Sequence, residues 1–425
     1  MSVQRDWNWE PSLKEVPLST WAGRFASVHE YQASPDGEHI AAIVRTGDSE
    51  FNVCVDGTLW PESFEKLWHL RYGPDGRLTA LGSSGGEWTP VVDGAAWENR
   101  FGYAWDTRFS SDGSRIAVCF QQDMSYGMAV DDEPWARTFV NMTNSLFAAD
   151  GRHTAAVVQL EALGEADIFG YQKGVYSAAL DGVPWEARFV NLWKTAISPA
   201  GDHLAAEVRL TLYDYTVAVD GTPWGTTYGG VWEPVFNPKT GAVVAPVRLQ
   251  GKWGLAEDGR MLWPNRFVQL WHVQFSSRGD HLAAVVAPSF GRWTVALDGK
   301  PWSATFDEMV TDLTLSPEGA HIAAAVKHRG RWSIAVDGKA WPEWYERVWA
   351  PVLSPNGRDA AARVERNGVF AIAVNGRALP WSGEAAWDPV FSADGRMLLV
   401  RSVEAGVYRR RVVAVDPVAG GKGAA

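Results

Sequence analysis

Residues 67–101 read LWHLRYGPDGRLTALGSSGGEWTPVVDGAAWENRF, and this one stretch decides the fold. LWHLRY runs into a turn at Pro74-Asp75-Gly76, and RLTALG leaves it. EWTPVV then enters Asp93-Gly94, and AAWENRF leaves. Between the turns apolar and polar residues alternate, as half-buried strands require. Asp-Gly suits a tight hairpin, because that turn needs positive φ and glycine adopts it without strain. Proline ahead of Asp-Gly presets the other turn. The stretch therefore predicts four antiparallel strands in a meander of about 39 residues, the size of a propeller blade.

The unit recurs along the whole chain. Markers resembling Ser-Pro-Asp-Gly place glycines at 37, 76, 113, 151, 201, 241, 279, 319, 357 and 395, with gaps of 39, 37, 38, 50, 40, 38, 40, 38 and 38. A second marker, Val-Asp-Gly-x-x-Trp, follows in the first nine units, as at Val55-Asp56-Gly57 with Trp60, Val219-Asp220-Gly221 with Trp224 and Val336-Asp337-Gly338 with Trp341. No segment shows sustained helical periodicity. The expected fold is thus all-β, a β-propeller of ten four-stranded units over residues 17–417, with a lead segment at 1–16 and a flexible tail at 418–425. The 50-residue spacing holds an insertion at Leu160–Lys173, read as an elongated hairpin or surface loop.

The tenth unit runs from Ala386-Trp387-Asp388 to Val415-Asp416-Pro417 and lacks its fourth strand. Pro17-Leu18-Ser19-Thr20-Trp21-Ala22-Gly23-Arg24-Phe25 carries the missing Pro-Trp-x-x-x-Phe pattern, so a strand from the chain start is expected to complete the last blade. Such a seam removes two sheet edges. Ten units fit one ring or two smaller rings; the seam and the lack of a long linker favour one.

Of 24 Trp, ten take the fourth-strand position, seven the first strand and four the third strand, which leaves Trp7, Trp9 and Trp344 outside the slots. Large aromatics there are expected to fill the wedges between sheets, each burying roughly 150–250 Å²; the rival roles are a stacking surface for sugars or bases, or an electron relay. Trp7 and Trp9 precede the closing strand and are candidates for docking a partner. His39, His153, His203, His281 and His321 all stand two residues after the turn glycine, which reads as architecture rather than a metal site.

One position stays polar in nine of ten units: Glu30, His69, Asp106, Asn144, Lys194, Glu233, His272, Asp312 and Asp388, with Ala350 as the exception. It follows the first-strand aromatic slot, and strand alternation would turn it to the opposite face. If the first strands are innermost, these residues form a polar ring along a central channel. A wet channel needs polar walls; the sharper alternative is a cation or basic-peptide site around Glu233, Asp312 and Asp388 with His69 or His272.

Composition narrows the partners. A formal net charge of −11 disfavours nucleic acid and anionic membrane surfaces. No apolar run is long enough to span a bilayer, and MSVQRDWNWEPSLKE has no secretory core, so the expected compartment is the cytoplasm. Cys54 and Cys119 are the only cysteines, too few for an iron–sulfur cluster, and no CxxCH attaches haem; no cofactor is expected on this chain. Gly82-Ser83-Ser84-Gly85-Gly86 matches GxSxG but lies between two strands, not at a strand–turn–helix elbow. No Walker loop, dinucleotide fingerprint, HExxH or calcium loop occurs.

Ser34-Pro35-Asp36-Gly37-Glu38-His39-Ile40-Ala41-Ala42 and its repeats resemble the TolB-type, WD-repeat-like propeller repeat, which implies fold and not function. The opening Trp7-Asn8-Trp9-Glu10-Pro11, the Val-Asp-Gly-x-x-Trp units and the Trp content resemble the TmcD family, Trp-rich cytoplasmic subunits of the transmembrane electron-transfer complex of sulfate-reducing bacteria. That resemblance implies a peripheral, non-catalytic subunit at the inner membrane face, docked on membrane, iron–sulfur and haem subunits. The alternative expectation is a carbohydrate- or peptide-acting propeller enzyme, a hydrolase or lyase, or a lectin-like binder.

Overall fold

The computed structural model describes residues 7–415. They are all-β and consist of ten β-propeller blades, each an antiparallel sheet of four strands paired in meander order. Blade 2 is typical, with strands Lys66–Tyr72, Leu78–Ser84, Glu87–Val92 and Ala95–Ala96. Asp93 and Gly94 take φ of 47° and 85°, the paired left-handed residues of a type I′ hairpin. Gly85-Gly86 of the GxSxG match closes another hairpin of the same blade, also with both residues at positive φ.

The Asp of Val-Asp-Gly does more than turn the chain. One carboxylate oxygen accepts the backbone N–H that opens the second strand: Ile40 to Asp56 at 3.0 Å, Leu204 to Asp220 at 2.9 Å, Ile322 to Asp337 at 2.9 Å. The other oxygen meets the preceding residue, and where that is histidine the Nδ1 contact is 2.6–2.8 Å. All five repeated histidines are held this way, each by the Asp of its own blade. The clamp ties both turns of a blade together.

The Pro-Trp-x-x-x-Phe pattern has an equally local cause. After a two-residue fourth strand the Trp N–H returns to the third strand (Trp60 to Val53 O, 2.9 Å), and the Phe pairs with the third-strand aromatic, as Phe64 with Phe51. A bow remains between these anchors. In blades 1, 2, 4, 5, 7 and 8 its carbonyls accept from one buried polar side chain: Asn52, Thr89, Ser177, Thr216, Thr294 and Ser333. Second strands, enclosed on both faces, are predominantly apolar: in blade 8 Ile322, Ala323, Ala324, Ala325 and Val326 are all buried.

Neighbouring blades meet where an indole lies against a turn glycine. A Cβ on Gly94 would come 3.1 Å from Trp60, on Gly182 3.0 Å from Trp135, and on Gly338 3.1 Å from Trp302. The glycine thus serves the hairpin through its φ and the packing through its missing side chain.

The contacts divide the chain into two compact units, the first holding Trp21–Pro35 and His39–Arg266 with blades 1–6. The second holds blades 7–10, the N-terminal strand and the Asp36–Glu38 turn. In this second unit the strand Ser12–Pro17 pairs antiparallel with Val407–Ala414, from Ser12↔Val412 to Pro17↔Val407, and completes blade 10. The closing strand is therefore a terminal one as expected, but it is not Pro17–Phe25. Trp21 lies instead on a helix, Ser19–Arg24, with its indole buried. The ladder instead takes the residues just upstream of the Trp21 pattern, where Glu15 also accepts from Arg409 Nε at 2.7 Å. The strand that completes blade 10 thus begins at Ser12. Asp416-Pro417 and the tail at 418–425 lie outside the described residues.

The insertion of blade 4 holds a second short helix, Ile168–Lys173, where a hairpin or loop was expected. Asp167 caps it by accepting from Gly170 N at 2.8 Å.

Removing residues 1–17 should uncover the Val407–Ala414 edge, lower the melting temperature and promote aggregation; thermal melts with light scattering test this. Gly338→Ala should cost about 1–3 kcal/mol, combining positive φ with the clash against Trp302. Gly368→Ala, also at positive φ but in open space, should cost less in the same urea titration.

Candidate functional site

The recurrent polar position sits on the first strand of each blade, and proline decides its geometry. In blades 1–5, 7 and 8 the first strand slips register there, a β-bulge. Glu30, His69, Asp106, Asn144, His272 and Asp312 adopt φ of 49–58°. Asn, Asp and His tolerate that left-handed region better than most residues. In blades 6, 9 and 10 the next residue is Pro234, Pro351 or Pro389. A residue before proline avoids the helical region, so Glu233 and Asp388 do not turn left-handed. In blades 9 and 10 the first strand breaks there into two pieces.

Simple strand alternation therefore does not aim these side chains; the bulge does. In the first unit they reach the following blade. Glu30 Oε2 accepts from Leu70 N at 3.0 Å, Asp106 Oδ2 from Ser145 Oγ at 2.6 Å, and Asn144 Oδ1 from Thr195 N at 2.8 Å. Each partner stands one residue beyond the equivalent position of the next blade, so the set forms a repeated interblade clip. His69 is the odd member: its Nδ1 and Thr107 Oγ1 are buried without a hydrogen-bond partner. Burial, helped by the Arg71 charge, lowers the pKa of His69 and keeps the ring neutral. Beside it a cleft of about 660 Å³ is lined by Arg71, Tyr72, Asp106, Thr107 and Arg108. Asp106 neutralises Arg108 at 2.9 Å, while Arg71 Nη1 donates to Thr107 O at 3.1 Å.

Of the three carboxylates singled out for a cation or basic peptide, two already hold cations of this chain. Glu233, in the first unit, pairs with Lys194 at 3.2 Å. Asp388, in the second, takes Arg363 Nε at 3.3 Å, and its carbonyl takes Arg401 Nη2 at 2.7 Å. The Arg363 guanidinium lies 4.2 Å from the Trp349 ring centre and donates to Ala386 O. Asp312 and His272 belong to the second unit, on blades 8 and 7.

Alternation and repeat position overlooked Glu207. It occupies the second-strand position that is Ile43, Leu81, Cys119 or Val157 in other blades, and it is only 6% exposed. Burial and the Glu233 charge raise its pKa to about 8, against a partial opposing pull from Lys194. The signal was in the sequence: a lone acid inside the apolar run LAAEV. The thiols point the other way. Burial pushes Cys119 up to about 12 and Cys54 upward too, so neither is a ready nucleophile.

The first-strand and third-strand aromatic slots prove to be partners within one blade. Trp68 meets Trp88 at 6.3 Å, Trp232 meets Trp253 at 5.4 Å, and Trp271 meets Trp293 at 4.8 Å between ring centres. Fourth-strand rings are more enclosed; Trp60, Trp135, Trp263 and Trp341 are buried. Trp193 and Trp232 keep 37% and 43% of their surface exposed. Trp7 and Trp9 stack on each other at 5.9 Å and are half-buried, with Arg410 donating to the intervening Asn8 carbonyl.

No family model matches the chain, and no curated protein matches it. Among solved structures it is similar to one described as a crystal structure of the eukaryotic initiation factor, at 13% identity and a TM-score of 0.49, over 83% of this chain and 96% of that one. It is also similar to prolyl oligopeptidase B from Galerina marginata bound to a macrocyclization substrate, at 10% identity and a TM-score of 0.36, over 72% of this chain and 55% of that one. At these values neither likeness bears on what this chain does.

Between the ordinary carboxylate value of 4.5 and about 8, folded Glu207 keeps a proton that the unfolded chain releases. Stability should therefore fall as pH rises through that window, by roughly 1.4 kcal/mol per pH unit at most. Glu207→Gln should flatten the fall and raise stability at pH 8, measured by urea unfolding across the window.

Proposed function

We propose that this chain is a non-catalytic interaction subunit, a rigid scaffold on which other proteins dock. The observation that supports this best is the use made of its polar first-strand groups. Glu30, Asp106 and Asn144 are engaged in clips between blades, and Asp388 and Glu233 in ion pairs with Arg363 and Lys194. The repeated histidines are engaged in clamps. Chemistry-bearing residues thus serve the frame, and the frame's outer hairpins present apolar side chains such as Met124 and Phe290, 77% and 94% exposed.

The complex we assign it to is a membrane-associated electron-transfer complex, where it would sit in the cytoplasm at the inner membrane face. This rests on the resemblance to the TmcD family carried by Trp7-Asn8-Trp9-Glu10-Pro11 and the Val-Asp-Gly-x-x-Trp units. In that role the membrane, iron–sulfur and haem subunits carry the electrons, and this chain holds their arrangement. Among the described residues no helix is long and apolar enough to cross a membrane, so attachment would run through partners.

Affinity isolation of the tagged chain from its native host in mild detergent, followed by mass spectrometry and haem and iron analysis, tests the assignment. Co-isolation of membrane, iron–sulfur and haem proteins in near-stoichiometric yield is expected. A chain that emerges alone and cleaves a glycan or peptide would overturn it.

A further inference from the structure

Blades 4 and 5 depart from the others in one place, the connection between second and third strands. Most blades close it with a tight hairpin, such as Arg329-Gly330 in blade 8 or Asn367-Gly368 in blade 9. Blade 4 inserts residues 160–175 there, and blade 5 carries the loop 210–214. Only their ends, at Leu160, Val175 and Leu210, pack on the core. Ile168 and Phe169, at the start of the inserted helix, are 63% and 79% exposed, and Tyr213 is 81% exposed.

These side chains stand on an ordered base. Asp167 caps the helix, and Leu160 N donates to Val175 O across the neck of the insertion. Gly174 is so close to the Phe189 backbone that a Cβ would lie 2.8 Å from it. Arg188 pairs with Glu161. The loops of the two blades are linked to each other: Arg209 Nη1 donates to Tyr171 Oη at 3.4 Å while its other nitrogens hold the Thr211 and Leu212 carbonyls. Exposed aromatic side chains that need no further ordering lose little entropy on binding, which is the property of an interface anchor.

The surrounding charge specifies the partner. Glu165, Asp167 and Asp214 form no ion pair and outnumber Lys173 and Arg209, the cations of these loops without a carboxylate partner, while Arg188 is neutralised by Glu161, so the patch is net acidic. An apolar patch rimmed by carboxylates repels anionic lipid headgroups and favours an apolar face flanked by Lys or Arg. We infer that Ile168, Phe169 and Tyr213 form the anchor of a docking surface for a basic amphipathic helix of a partner protein. It rests on the interaction role proposed above and names the face and the partner chemistry.

The test uses the full chain and a fluorescently labelled helix-forming Leu/Lys peptide. The wild type should bind it, and Phe169→Asp with Tyr213→Asp should weaken binding by about tenfold or more. Glu165→Lys should weaken it about threefold, an effect that added salt diminishes. Both variants change exposed side chains, and an unchanged circular dichroism melt verifies folding. Equal binding by the double variant, equal binding of a Leu/Glu peptide, preference for phosphatidylserine vesicles, or self-association through this face in sedimentation would each overturn the proposal. A second arm repeats the affinity isolation with the double variant. If the wild type retains its partners, the variant should lose one, and that partner should cross-link to the insertion through a basic amphipathic segment. Partners retained equally by both would remove this surface and leave the interaction role standing. A wild type that retains none would remove the role itself.

Discussion

The blade depends on one carboxylate. The Asp of Val-Asp-Gly sits at positive φ in a two-residue hairpin, and from there its side chain reaches the first backbone N–H of the second strand. That N–H would otherwise lie at the end of a strand buried on both faces, where an unsatisfied donor is costly. The same group orders the hairpin, satisfies the strand end and fixes the residue of the neighbouring turn. Blade 9 confirms the geometry with a different residue. Asn375 replaces Asp, its Oδ1 accepts from Ala360 N at 2.9 Å, and its amide now donates to Asp359, which replaces histidine. Donor and acceptor have changed places, and the clamp persists.

From that constraint the packing between blades follows. The hairpin presents a glycine next to the Asp, and an indole of the preceding blade lies against it. Blade 3 shows what happens without the glycine. Asp132 takes its place at φ 72°, and its carboxylate caps the backbone of Glu98 and Asn99 in the preceding blade at 2.6 and 3.1 Å. A polar cap has substituted for an apolar contact, which keeps the blades joined while changing the chemistry of the joint.

The proposed interaction role draws on what the frame leaves unused. Several groups whose types suggested a binding site are engaged within the frame: Glu30, Asp106 and Asn144 between blades, Glu233 with Lys194 and Asp388 with Arg363, while His69 lies with Thr107 beside Arg71. Outside, the variation between blades is concentrated in the connections between second and third strands. Loops carried on a rigid scaffold tolerate insertion, so these connections can vary without cost to the blades.

Turn chemistry and strand period are local, and both were written in the chain. Ten glycines at regular spacing, Asp-Gly hairpins and apolar second strands determined all-β blades, their number and their order, because each rests on φ preferences and contacts within one unit. Tertiary structure decided the rest. Pro17–Phe25 carries the fourth-strand pattern, yet Ser12–Pro17 pairs with Val407–Ala414, since register between the chain ends depends on side chains nearly the whole chain apart. The polar first-strand position was visible, but a bulge of positive φ, not alternation, aims it, and prolines after Glu233 and Asp388 abolish that bulge. What Glu233 does to Glu207, and Asp388 to Arg363, emerges only where folding brings adjacent blades together, because charge interactions depend on distance and burial, which sequence spacing does not encode.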